Sequence, residues 1–207
     1  MGSTSIRSIM LHTRPRCEIS VSAGFLLLCG WFAWACGAGM LVTVLLASAE
    51  HELGHLLMLR LCGARVRRFR VSVLGAVMEA DTGRLSYLQE LLAVLGGPLA
   101  NLLFAAALVP RGADILVGAN IVLCVFNLLP LPPLDGGRAL CLGLSWALGP
   151  DRGEMIADRV GAVSALVLAA VLLYLMVGTG GSLWLLPPCA AAAAMAGKKK
   201  PFSRKFL

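Results

Sequence analysis

The chain has 207 residues, 58% of them hydrophobic and only 14% charged, with a mean hydropathy of +0.84 and a formal net charge of +7. Soluble domains average about 25% charged residues, so the composition excludes a disordered chain and argues against any water-soluble domain, including a soluble nucleic-acid binder. A chain of this length has room for one bundle of about five or six membrane spans.

Taken in order, residues 1–18 read as a polar cytoplasmic tail, with His12 on its surface. The stretch Met1–Arg16 has no apolar core, so it is not read as a cleavable signal peptide. Crossing the hydrocarbon core takes about 20 apolar residues. Spans are expected at Ile19–Gly37, Gly39–Cys62, Leu88–Val109, Asp114–Leu131, Val160–Val177 and, shorter and interrupted by Pro187-Pro188, Ser182–Ala196. Residues 197–207 form a second basic tail. With the N-terminus inside, all of the 18 basic residues except Arg111 fall on the cytoplasmic side. This asymmetry predicts a multi-pass cell-membrane protein with both termini cytoplasmic. It accounts for the net charge with the lipid bilayer as partner and no nucleic acid. The seven cysteines are scattered without a C-x-x-C pair, as buried small hydrophobes are.

The second span carries the chemistry. In His51-Glu52-Leu53-Gly54-His55 the two histidines are four residues apart and lie on one helix face, so both imidazoles can reach one metal ion. Glu52 is placed to take a proton from a metal-activated water, as in zinc hydrolases. Two histidines and two glutamates, Glu50 and Glu52, are costly inside an apolar span unless they face a wet cavity or bind something. Glu50 is assigned no catalytic role. His55 lies roughly 12 Å from the cytoplasmic end of the span at 1.5 Å per residue, which puts the expected cation inside the membrane, towards the cytosol.

Zinc hydrolases use three protein ligands and keep one position for water. The third candidate is Asp135, in the stretch Asn127 to Gly137, whose prolines cannot continue a regular helix. An irregular segment at membrane depth needs a cavity lining or partners, and one ending in a carboxylate suits an active-site wall.

Together, the two motifs resemble the site-2 protease family of intramembrane zinc metalloproteases. That family pairs HExxH in one span with an N-x-x-P-x-P-x-L-D-G-like motif in a later one. Here His51 to His55 supply the first motif and Asn127 to Gly136 the second, and Gly97-Pro98-Leu99-Ala100-Asn101 fits the family's G-x-x-x-N/S/G element between them. The resemblance covers Leu41 to Arg138. It implies that His51, His55 and Asp135 bind one zinc per chain, and that Glu52 is the general base and later the proton donor. It also implies that Asn127, with Asn101 as a weaker candidate, holds substrate or the oxyanion. For Asn101 a helix-packing hydrogen bond is an equal alternative.

The family also carries a membrane-edge β-hairpin, for which Arg65–Ala80 is suited: Val71, Val73, Gly75 and Val77 alternate with other residues, and Gly75 permits a turn. Such an edge can pair with an unwound substrate; a basic loop on lipid headgroups is the alternative. The expected fold is therefore an all-α polytopic membrane protein of about six transmembrane helices with a short membrane-edge β-hairpin. Its intramembrane domain spans residues 19–196, with a core at 39–138. The layout is similar to the stage IV sporulation protease branch, but the spacing leaves no room for a PDZ domain between the second and third spans or for a CBS domain after the last.

The implied activity is endoproteolysis of membrane-spanning or membrane-associated regulatory proteins near the cytoplasmic face, with a membrane regulatory protein as a further partner. A catalytically silent membrane adaptor of the same fold is the alternative, and it is expected to lose one of the four key residues, all of which are present here. A metal transporter is expected to carry more intramembrane carboxylates or histidines along a path.

Overall fold

A computed structural model describes residues 18–72 and 75–178. Both outer tails, His12 and the apolar segment Ser182–Ala196 lie outside the described residues. The elements run β1 (Glu18–Val21), α1 (Ala23–Cys36), α2 (Ala38–Leu61), β2 (Val66–Ser72), β3 (Gly75–Ala80), α3 (Tyr87–Leu108), α4 (Asp114–Asn127), α5 (Asp135–Leu148) and α6 (Pro150–Gly178). The fold is mostly helical with one small sheet.

The helix bounds read from the sequence agree within a residue for α2 and α3 and need three corrections elsewhere. Residues Ile19–Val21, expected to open the first span, belong to strand β1, which pairs parallel to β2. Glu-Ile-Ser-Val alternates polar and β-branched residues, a strand pattern that an apolar-run criterion absorbs into the helix after it. The helix starts only after Ser22, whose Oγ accepts from the Phe25 N–H at 3.2 Å. In consequence the expected hairpin is a three-stranded sheet in the order β1-β2-β3, with β2 and β3 antiparallel and a register irregularity between Val66 and Arg68.

The fourth helix ends at Asn127 rather than Leu131. A tight turn follows, closed by the Leu131 N–H to Leu129 carbonyl and Leu134 N–H to Leu131 carbonyl bonds, both 2.7 Å. The third correction is α5, a helix between the expected fourth and fifth spans. It is joined through Gly149, at φ 88°, to an α6 that begins ten residues before Val160.

Helix α3 is the hub, packed against α2, α4 and α5. Its start is set by a reciprocal capping box: the Gln89 N–H donates to Ser86 Oγ at 3.3 Å, and the Ser86 N–H to Gln89 Oε1 at 3.0 Å. Close approach of α2 and α3 depends on Gly54, where a Cβ would overlap the Gly96 carbonyl oxygen and lie 2.6 Å from Ala100 Cβ. Helix α6 buries only Gly153, Ala157, Gly161 and Ala165, a small-residue stripe at four-residue spacing that lets it lie against α5 and the 128–134 turn. Below the sheet, Met78 and Ala80 of β3 pack with Leu59 of α2 and Ala93 of α3.

Two helical segments, Tyr87–Arg111 and Pro150–Gly178, are long and apolar enough to cross a membrane; α1 and α4 are apolar but shorter. Large apolar side chains point outward, with Trp34 80% and Tyr174 77% exposed, and α1 buries none of its residues. Exposed apolar surface on this scale fits insertion into a membrane.

Candidate metal centre

On α2, the i, i+4 spacing turns His51 and His55 to the same side, towards α3, and both are 5% exposed. Their rings meet edge to face with centroids 4.7 Å apart, and their Nε2 atoms are separated by 3.1 Å. Asp135, the first residue of α5, brings its Oδ2 to 3.0 Å from His51 Nε2 and 3.2 Å from His55 Nε2. A carboxylate in the first turn of a helix sits at the positive end of the helix dipole. The turn before it reaches this position because the backbone at Leu128 packs directly against Gly136, where a Cβ would collide with the Leu128 carbonyl.

The opposite nitrogens of the rings decide what the three converging atoms are. His55 Nδ1 lies 2.9 Å from the backbone carbonyl of Ala93, and His51 Nδ1 lies 2.6 Å from Asn101 Oδ1. Both partners are acceptors, so each ring carries its proton on Nδ1 and presents a lone pair at Nε2. The centre is therefore three acceptor atoms, two imidazole nitrogens and one carboxylate oxygen, facing one another within 3.2 Å in a buried setting. With both rings neutral no proton is left to lie between them, and Asp135 Oδ2 is buried without a hydrogen-bond partner.

Acceptors held together without a donor are costly, and a cation relieves the cost. Ligands at about 2.0–2.1 Å from a tetrahedral ion lie about 3.3 Å from one another, close to the spacing here. The donor set therefore fits a zinc ion, and the outward Nδ1–H bonds supply the orienting contacts that metal-binding histidines use. Gly97 borders the centre: a Cβ there would run into His55 Nε2 and lie 2.8 Å from His51 Cε1.

The other residues singled out from the sequence fall in different places. Glu52 is half-buried on α2 between the two histidines in sequence. Asn101 is fully buried behind His51, its Nδ2 donating to the Ala47 carbonyl at 3.0 Å and to Asn120 Oδ1 at 2.7 Å. Asn127 turns its amide to its own helix, donating to the Leu123 carbonyl at 3.0 Å. Glu50 Oε2 is buried without a hydrogen-bond partner. Sequence reasoning passed over Asn120, yet a signal was there: an amide in the middle of an apolar helix needs a partner, by the argument that singled out Glu50.

The family model described as Peptidase family M50 matches residues 39–117 and 112–168. Rip3 of Mycobacterium tuberculosis, provisionally named a zinc metalloprotease, is 33% identical over 175 residues, covering 73% of this chain and 43% of its own. The similarly named sll0528 of Synechocystis is 31% identical over 156 residues, covering 67% and 40%. Zinc metalloprotease MJ0392 of Methanocaldococcus jannaschii is 27% identical over 143 residues, covering 63% and 42%. The chain thus spans less than half the length of the curated relatives it matches. Among solved structures, the site-2 protease from Methanocaldococcus jannaschii shares the fold, with a TM-score of 0.61 at 22% identity over 86% of this chain and 89% of that one.

Proposed function

The chain belongs to peptidase family M50, and on that premise we propose that it is an intramembrane zinc metalloendopeptidase that cuts membrane-spanning or membrane-associated regulatory proteins near the cytoplasmic face. One observation carries the reading. Three buried atoms, from His51, His55 and Asp135, converge within 3.2 Å, and the Nδ1 atom of each ring faces an acceptor on the side away from the centre. We assign these three residues as the ligands of one zinc per chain. A zinc ion bound there supplies Lewis-acid polarisation of the scissile carbonyl and of a water molecule.

The residues around it divide the remaining work. The Glu52 carboxylate takes the proton of the attacking water and hands it to the leaving amine nitrogen, one group serving as base and then as acid. Asn127 ends α4 beside the irregular turn, from which an amide N–H can hold the substrate backbone or the developing oxyanion. Asn101 is engaged by His51, Ala47 and Asn120, so we assign it to the support of His51.

A helical substrate hides its amides in its own hydrogen bonds and must unwind before attack. Strand β3 is an edge of the sheet and offers an unwound segment a place to pair. Its Met78 and Ala80 share a cluster with Ala93, the residue whose carbonyl holds His55, so the edge and the centre lean on the same piece of α3. We further assign residues 19–196 as the intramembrane domain, built of about six spans with both termini cytoplasmic and with a membrane regulatory partner beside the substrate. The outward apolar surface of α1 and α6 and the one-sided distribution of arginine and lysine support that arrangement.

The test uses purified protein and a co-expressed single-span substrate. Glu52→Gln is expected to keep about one zinc per chain while cleavage falls at least ~100-fold, and Asp135→Ala is expected to lose zinc. Full activity of Glu52→Gln sinks the general-base role. Unchanged zinc content in Asp135→Ala removes that residue from the ligand set.

A further inference from the structure

Asn120 sits within α4, a helix that brings no ligand to the centre, and it is completely buried. Its Nδ2 donates to the Leu116 carbonyl at 3.1 Å. A backbone carbonyl only accepts, so this bond settles which end of the Asn120 amide is which, and its oxygen faces α3. There Asn120 Oδ1 accepts from Asn101 Nδ2 at 2.7 Å, while the same Nδ2 donates its other hydrogen to the Ala47 carbonyl at 3.0 Å. Two acceptors rather than one therefore oppose a flip of the Asn101 amide. The Asn101 oxygen is left pointing at His51 Nδ1, 2.6 Å away, and that contact puts the ring proton on Nδ1 and the lone pair on Nε2.

We propose that Asn120 is a positioning residue of the metal centre: acting through Asn101, it holds the His51 ring in the tautomer and orientation that ligate, so that α4 tunes metal affinity from outside the ligand set. The inference rests on the reading that His51, His55 and Asp135 hold zinc. Each link is a buried side-chain amide whose direction is dictated by a backbone carbonyl, which makes the chain a relay of orientation rather than general packing. Loss of an orienting partner of a metal-bound histidine typically weakens binding about 10- to 100-fold.

The experiment measures zinc affinity of the full chain in detergent by competition with a chelator, together with the visible absorption of the cobalt-substituted protein. Asn120→Leu, similar in size but without an acceptor, is expected to weaken zinc about 10-fold or more and to alter the cobalt spectrum. Asn120→Ala, which cannot overfill the site, carries the same expectation should the leucine variant fail to fold. Asn120→Asp, as the neutral acid, keeps an acceptor oxygen towards Asn101 and an O–H donor towards the Leu116 carbonyl, and is expected to stay within about 3-fold of the parent, well short of that loss. In an Asn101→Leu background, removing Asn120 should add nothing further, because the relay is already cut. Wild-type affinity and spectrum in Asn120→Leu or Asn120→Ala overturn the proposal, as does a loss that simply adds to that of Asn101→Leu. Asp135→Ala is measured alongside. Zinc binding unchanged in that variant overturns the metal-centre reading itself, whereas zinc lost there but kept in the Asn120 variants overturns the positioning role alone.

Discussion

At the scale of single residues, the centre is organised by what is left out as much as by what is present. Two neutral imidazoles and a carboxylate can turn their lone pairs to one cation only if the ring protons lie elsewhere, and Asn101 Oδ1 and the Ala93 carbonyl give the two Nδ1 atoms acceptors for them. Gly97 matters for a steric reason, since its missing side chain leaves room for both rings against α3. Gly97→Ala should therefore cost about 1–3 kcal/mol, as overfilling a tight site does, and the loss should fall on metal binding. The check is zinc affinity beside thermal unfolding of the metal-free protein. An alanine variant with parental zinc affinity shows that the rings are free to move aside.

At the scale of elements, the proposed ligands depend on helices that carry none. Helix α6 contributes only a stripe of small residues, yet at Gly161 a Cβ would lie 2.8 Å from Pro132 Cδ, and Pro132 belongs to the turn that delivers Asp135. Gly161→Leu should push the turn away, lowering zinc content while the His51–His55 pair on α2 stays in place; retention of a full zinc complement refutes that coupling. The sheet makes a different prediction. Along an antiparallel strand successive N–H groups point alternately to the partner and away from it, so of Ala76→Pro and Val77→Pro one removes a bond to β2 and the other an N–H of the free edge. The edge-facing proline should reduce substrate cleavage with zinc content unchanged. Cleavage at parental rates in both variants eliminates β3 as the substrate-pairing strand. The surface ion pairs of Arg68 with Glu18 and Glu79, at 2.8 and 3.5 Å, join the three strands but are exposed and contribute little to stability.

At the scale of the whole molecule, the described residues expose much apolar surface, while five of their eight buried polar or charged residues gather at the centre. His51, His55, Asn101, Asn120 and Asp135 all lie under 9% exposed, an arrangement suited to a lipid surround and a polar interior. The proposed orientation places both ends of the chain in the cytoplasm. Reporter fusions active only in the cytoplasm should accordingly be active at either terminus, and an inactive C-terminal fusion means an odd number of spans.

The sequence by itself determined that His51 and His55 share one helix face. The i, i+4 spacing of His51 and His55 is a local property of one helix, and the high cost of polar residues in an apolar span needs no tertiary information to be felt. Long apolar runs likewise located α2 and α3 to within a residue, because there the apolar stretch and the helix share the same ends. What only the tertiary structure decided are relations between segments distant in the chain. Strand β1, a short alternating pattern run into an apolar stretch, is set apart as a strand only by its pairing with β2, where Glu18 meets Arg68 50 residues away. Helix α5 was unread because its start is defined by the turn packed over Gly136. The roles of Gly97, Asn101 and Asn120 depend on which side chains meet across three helices, and no local pattern of residues encodes that meeting.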